Sequence, residues 1–187
     1  GDVEAISSLT ASAKLAIEAD ITTAGDQTYQ SQISGTTSTL TGNAVTFEDT
    51  VSTTGALTVT NSGVLTIADG ATISADGGFT QSGGGLASGG AVLLGADITT
   101  VENDISIAGA LTLLADTSMS TAAIQTIELS TGSGAGNISL ASVSGTDAGV
   151  NNRLNLISGT GTTTVTGAIG GITLLGLQDT GATGAVS

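Results

Sequence analysis

General acid–base catalysis needs two titratable groups held near one bond, and the chain offers carboxylates in two neighbouring pairs, Glu48 with Asp49 and Glu102 with Asp104. Nothing suited to work with them accompanies them. No histidine or cysteine occurs among the 187 residues, which removes imidazole bases, thiol nucleophiles and the usual zinc ligands together. The many serines lack a base, and no G-x-S-x-G elbow is present. The runs "GGGLASGG" (83–90) and "GSGAGN" (132–137) resemble phosphate cradles, yet neither has a Gly-Lys-Ser/Thr ending or G-x-G-x-x-G spacing. With 29 glycines in the chain, such runs follow from composition. Asp69, Asp76, Asp97 and Asp116 stand alone in differing contexts rather than in tandem calcium-binding repeats. The paired carboxylates therefore read as solubilising acids at turns, and the expectation is no enzyme, no cofactor and no catalytic, cofactor-binding or metal-binding residue.

Binding is bounded in the same way. Sixteen acids face two basic residues, Lys14 and Arg153, for a net charge of −14, so the surface repels nucleic acid and anionic lipid. The same two residues are the whole supply of basic catalysts for a lyase working in a solenoid groove, and they lie far apart in the chain. A carbohydrate platform is normally aromatic, and Tyr29, Phe47 and Phe79 are the only candidates. Outward threonines in T-x-T spacing could order water as an ice-binding face does. Thr58/Thr60 and Thr162/Thr164/Thr166 have that spacing, but Ser, Asn or Ala stand at comparable places nearby and no regular array is evident. No apolar run approaches the roughly 20 residues of a membrane-spanning helix, and no basic start followed by an apolar run suggests a signal peptide. The chain reads as a mature product or an excised segment, with no membrane insertion.

The elements that must carry these residues are short. Apolar–Thr/Ser/Asn–apolar triplets recur at Val45–Phe47, Leu57–Val59, Leu65–Ile67, Ile105–Ile107, Leu111–Leu113, Ile138–Leu140, Leu154–Leu156 and Ile172–Leu174, the period-two signal of a strand with one buried face. Asn-Ser-Gly (61–63), Ala-Asp-Gly (68–70 and 75–77) and Ser-Gly-Thr (144–146) punctuate them as turns. Positive mean hydropathy argues against disorder. Gly, Ala, Ser and Thr make up more than half of the chain and proline is absent, which suits narrow coils whose strands pair on both edges. Triplets starting at Ile138, Leu154 and Ile172, and the step from Leu93 to Leu111, give separations near 16–18. The predicted fold is all-β: a single-stranded right-handed parallel β-helix, or β-solenoid, of about nine coils with about 18–21 residues each, forming a rod of roughly 45 Å. One unit spans 1–187, with an irregular corner or loop at 82–90. Residues 5–20 read as the first coil rather than a helical cap, because Leu15–Ile17 and Ile21–Thr23 continue the triplets.

Residues 19–63, "ADITTAGDQTYQSQISGTTSTLTGNAVTFEDTVSTTGALTVTNSG", resemble the repeats of large bacterial surface proteins of the filamentous-haemagglutinin and autotransporter-adhesin type. Ile21, Gln27, Tyr29, Leu40, Val45, Phe47, Val51, Leu57 and Val59 fall on the places those repeats share, and "LLGADITT" (93–100) echoes the start of the unit. The resemblance implies a parallel β-helical stalk or adhesin segment of a larger protein, extracellular or at the bacterial outer-membrane surface, without catalysis. Its partners would be neighbouring segments of the same long chain, or a host or surface receptor or glycan. Two alternatives stay open: a subunit of an extracellular filament or surface layer that self-associates end to end, and a carbohydrate-binding β-helix.

Overall fold

The computed structural model describes residues 6–83, 90–115, 125–146 and 152–179. They wind as an all-β, parallel, right-handed solenoid of stacked coils, the architecture the triplets predict. Each coil contributes one strand to each of three parallel stacks. The first sheet begins with Leu9–Ala11, Gln27–Tyr29, Val45–Phe47, Leu65–Ile67 and Val92–Leu94. The second holds eight strands, from Leu15–Ile17 through Ile33–Gly35, Val51–Thr53, Ile73–Ala75 and Ile98–Thr99 to Thr173–Asp179. The third runs from Ile21–Thr22 through Ser38–Gly42, Leu57–Asn61 and Phe79–Ser82 to Thr163–Val165. Two long strands, Ile105–Leu113 and Ile138–Gly145, round the corner from the third sheet into the first. The N-terminal stretch is strand from Leu9 onward, and Ile6 bridges Thr23.

Coil length departs from the sequence expectation in the C-terminal half. Aligned positions lie 18 residues apart from Leu9 to Gln27 and from Gln27 to Val45, then 20 to Leu65, 27 to Val92, 19 to Leu111, 32 to Val143 and 26 to Ile169. The extra residues enter at corners, so the described residues hold eight strands in the first and second sheets and seven in the third, where coils of 18–21 residues imply about nine. Corner insertions are tolerated because they leave the ladder register intact, and lengthening a loop costs little. The apparent spacing of Ile138, Leu154 and Ile172 is not a rung repeat. Ile138 stacks between Ile105 and Thr163 in the third sheet, while Leu154 stacks between Ile127 and Leu174 in the second. Leu93 faces outward beside Thr112, and its inward neighbour Val92 is the residue that stacks on Leu111. In the expected loop at 82–90, residues 84–89 lie outside the described residues. The ladders pass that point unbroken, with Leu65–Ile67 paired to Val92–Leu94 and Phe79–Gln81 to Ile105–Ile107.

Inward residues form columns along the axis. Ile33, Val51, Ile73, Ile98, Leu129 and Leu156 fill the second sheet's side. Leu40, Val59, Ile107 and Leu140 fill the third's, with Gln81 between Val59 and Ile107. All three aromatic side chains are interior, and Tyr29 stacks on Phe47 with ring centroids 5.5 Å apart.

Most polar groups taken inside are paired; the side-chain oxygen of Asn152 and Nε of Arg153 are the exceptions. Gln81 donates to Asn61 Oδ1 at 2.7 Å and to the Gly90 carbonyl at 3.2 Å, and its Oε1 accepts the Gly109 amide at 2.9 Å. Gln27 does similar work, donating to the Thr41 carbonyl at 2.8 Å and accepting the Tyr29 hydroxyl at 2.8 Å. Buried Thr53, Thr100, Thr131 and Ser158 end the second sheet, and each donates its hydroxyl to the carbonyl of a residue two to five places ahead in the coming corner. The backbone at the next corner is crowded: a Cβ on Gly109 would strike the Gly90 carbonyl of the rung before.

Two substitutions separate packing from polar satisfaction. Phe79→Ala should lower unfolding free energy in urea by about 3–5 kcal/mol through cavity formation. Gln81→Leu nearly conserves volume yet should cost about 2–4 kcal/mol, because Asn61, Gly90 and Gly109 lose their shared partner.

Candidate functional site

The paired acids do not converge on a site. Glu48 and Asp49 are exposed, and Asp49 accepts the amide of Thr50 at 2.7 Å. Glu102 occupies the left-handed region at φ 59, and its stem covers Gly134, where any Cβ would collide with it. Asp104 is engaged in a corner ladder. Its Oδ1 accepts the Asn137 backbone amide at 2.7 Å and side-chain amide at 3.1 Å, and Asn137 Oδ1 accepts the Thr162 amide and hydroxyl, both at 2.9 Å. Glu102 and Asp104 share a depression of about 260 Å³ whose other lining residues are Ala56, Gly77, Gly78, Thr80 and Asn103, none of them a base. Asp69 and Asp76 stand at different corners of one coil, Asp97 on the next coil shares a shallow depression with Asp69, and Asp116 lies outside the described residues. Asp97 accepts the amide of Glu128 at 2.7 Å. Among the described residues no three His, Cys, Asp or Glu side chains come together.

The other named residues are also dispersed. Lys14 precedes the first strand of the second sheet, and Arg153 sits in the seventh strand of that same sheet. Tyr29, Phe47 and Phe79 are at most 1% exposed, so no aromatic ring is available to stack on a sugar. The run 132–137 is a tight corner in which a Cβ on Gly136 would meet the Asn103 carbonyl at 2.5 Å. Its Gly136 carbonyl accepts the hydroxyl of Thr131 at 2.9 Å. An open groove of about 650 Å³ follows the bends of the two long strands and is lined by Ala, Ser, Ile, Leu and Thr, without a titratable group.

The outward face of the third sheet is where side chains are most regularly arranged. Thr39, Thr58, Thr80, Ser106, Ser139 and Thr164 form one column, aligned rung by rung. Two residues along each strand, Thr22, Thr41, Thr60 and Ser82 form a second. Ala108 and Ala141 follow Ser106 and Ser139, and Thr166 follows Thr164. The T-x-T pairs at Thr39/Thr41 and Thr58/Thr60 carry this signal in the sequence, but only the register reveals that Thr80/Ser82 extends it. Of the expected triple, Thr164 alone joins the first column, paired in register with Ser139. Thr162 belongs to the corner ladder with Asn137, and the Thr166 hydroxyl donates to the Ala141 carbonyl at 3.2 Å. The first sheet has one such column, Thr10, Thr28, Thr46 and Thr66, flanked by Asp26 and Glu48.

Asp26 shows what the corner acids contribute. It accepts the side-chain amide of Asn43 at 2.9 Å and the backbone amide of Ala44 at 3.1 Å. Asn43 first and Ala44 second hold its carboxyl below the ordinary aspartate value of 3.8, against a small opposing effect of desolvation. A depressed folded-state pKa adds stability above the unfolded value, and that stability is lost as pH falls through the folded one. The urea midpoint should therefore drop on acidification below about pH 4, and Asp26→Asn should flatten that drop. At the alkaline end, burial raises the Tyr29 phenol well above its ordinary value. Stability should hold up to about pH 10 and decline beyond it, less steeply in Tyr29→Phe.

No protein-family model, curated protein or solved structure matches the chain.

Proposed function

We propose that this β-solenoid scaffold is a non-catalytic stalk or adhesin segment of a bacterial secreted or cell-surface protein, continuous with neighbouring segments of the same long chain. The observation that carries this reading is how the polar groups are used. The corner carboxylates of Asp26, Asp97 and Asp104 accept amides from the next rung, and the buried Gln, Asn and Thr side chains close corners. Groups engaged in this way extend a backbone ladder, and among the described residues no three His, Cys, Asp or Glu side chains come together. Such a ladder gives reach, with each rung adding about 4.8 Å, and its cooperativity resists unfolding. The resemblance of residues 19–63 to adhesin repeats supports placement outside the cell. The burial of Tyr29, Phe47 and Phe79 removes the aromatic support for a carbohydrate-binding alternative.

Antibodies raised against this chain should label intact bacteria that express the complete gene, at a distance from the outer membrane. Label that appears only after lysis would overturn the placement. A stalk must also survive extracellular proteases, and the chain has only two trypsin sites. Cleavage after exposed Lys14, between two strands, should precede cleavage after Arg153, which is held inside the strand Asn152–Gly159. Mass spectrometry of a native digest reads that order directly.

A further inference from the structure

We propose that the outward side of the third sheet binds ice, its ligand being the ordered water of a crystal surface. The best-developed patch is a grid of three rungs by two columns: Thr39 and Thr41, Thr58 and Thr60, Thr80 and Ser82. Parallel pairing sets the spacing between rungs at about 4.8 Å, and the T-x-T step sets the other repeat at about 6.6 Å, two residues of extended chain. The result is a lattice of hydroxyls and methyls with both repeats set by the backbone. β-Branching restricts each threonine at χ1, so the side chains add little disorder to the grid.

Two further observations point to water as the occupant. The hydroxyls of Thr39, Thr41, Thr58 and Thr80 form no hydrogen bond to protein among the described residues, and Thr60 and Ser82 pair only with each other at 3.3 Å. Their remaining capacity is met by solvent, at positions the lattice dictates. In addition, neither column carries a charge from Thr39 to Thr166, although the chain has a net charge of −14. The nearest acids border the grid: Asp20 Oδ1 accepts the Thr39 amide at 2.8 Å, and Glu102 and Asp104 share a depression with Thr80.

Other occupants fit less well. Six rungs at about 4.8 Å, two columns wide, present an area on the order of 300 Å², well below the roughly 800 Å² per partner of a stable protein interface. The face has no aromatic or arginine anchor of the kind that concentrates binding energy, and no ring for a sugar. A crystal offers an extended repeating surface, against which each matched rung adds a further set of contacts. This inference is independent of the stalk reading, since ice adsorption is measured on the isolated chain whatever protein it belongs to.

The test is ice-crystal morphology and thermal hysteresis of the folded 187-residue chain, with partition of fluorescently labelled protein into a slowly grown ice hemisphere as a second readout. Wild type should facet ice, show a hysteresis gap and enter the hemisphere. Thr58→Tyr, at the centre of the grid, and Thr80→Lys, at its edge, should each lose most of that activity while keeping the wild-type circular dichroism spectrum. Thr66→Tyr, on the outward column of the first sheet, should retain it. Unshaped crystals and exclusion of folded wild-type protein from ice would overturn the proposal, as would equal loss in the Thr58 and Thr66 variants. Should one grid variant misfold, the other decides.

Discussion

Each strand in this molecule is completed by the strand one coil earlier and one coil later, and the rest of the structure follows from that pairing. A parallel ladder leaves no amide or carbonyl free within the stack, so a strand residue must supply both groups. The absence of proline from the whole chain satisfies that demand. Stacking also brings like positions into contact, so a side chain is judged by its fit against the residue one rung away. Val51 on Ile73 and Ile98 on Leu129 are such fits. The interior receives few residues from each coil, and Tyr29, Phe47 and Phe79 all lie within it.

Corners are the harder problem, because there the backbone leaves the ladder while still enclosed. The solution is chemical rather than bulky. Buried Thr53, Thr100, Thr131 and Ser158 reach forward to a corner carbonyl, and Gln27, Asn61 and Gln81 span the corner between the third and first sheets. Threonine and glycine thus serve different needs in one coil. Threonine is a strand former whose hydroxyl can close a turn, whereas glycine stands where successive rungs approach too closely for a Cβ, as at Gly109 over Gly90.

The strands were legible in the sequence because a period of two with β-branched residues reports burial directly, and the parallel stacking was legible because the turns did not read as hairpins. Which sheet a triplet joins was not. Ile138-Ser139-Leu140 and Leu154-Asn155-Leu156 have the same pattern yet belong to different sheets, since alternation carries no label for the face and corner insertions break the period. The hydroxyl grid was hidden for the same reason: Thr58/Thr60 was visible as a pair, but its neighbours are defined only by register. The inward polar side chains were similarly obscure. Gln81 falls in the sequence Phe-Thr-Gln-Ser, where a polar residue at an inward position looks like the end of a strand rather than the hub of three hydrogen bonds.

Register also bears on how a chain of net charge −14 can stack at all. Rungs about 4.8 Å apart lie well inside the Debye length of about 8 Å at physiological ionic strength, so acids repeated at one corner position would repel along the rod. Two corner columns avoid this by following an acid with neutral partners. Asp26 is followed by Asn43, whose side-chain oxygen accepts the Ser62 hydroxyl at 3.3 Å, and Asp104 by Asn137 and then Thr162. In each case the carboxylate takes amides from the next rung, so charge that would push coils apart becomes a bond between them. The corner from the first sheet into the second differs, with acids on successive rungs: Glu48 and Asp49, then Asp69, then Asp97, which lies beside Glu128 of the following rung. There Asp97 accepts the Glu128 backbone amide, and the Glu128 carboxylate accepts the Asn155 side-chain amide at 2.9 Å, passing the load one rung further. The corners can therefore bear acids in hydrogen-bonded positions, while the outward columns of the third sheet carry no charge from Thr39 to Thr166.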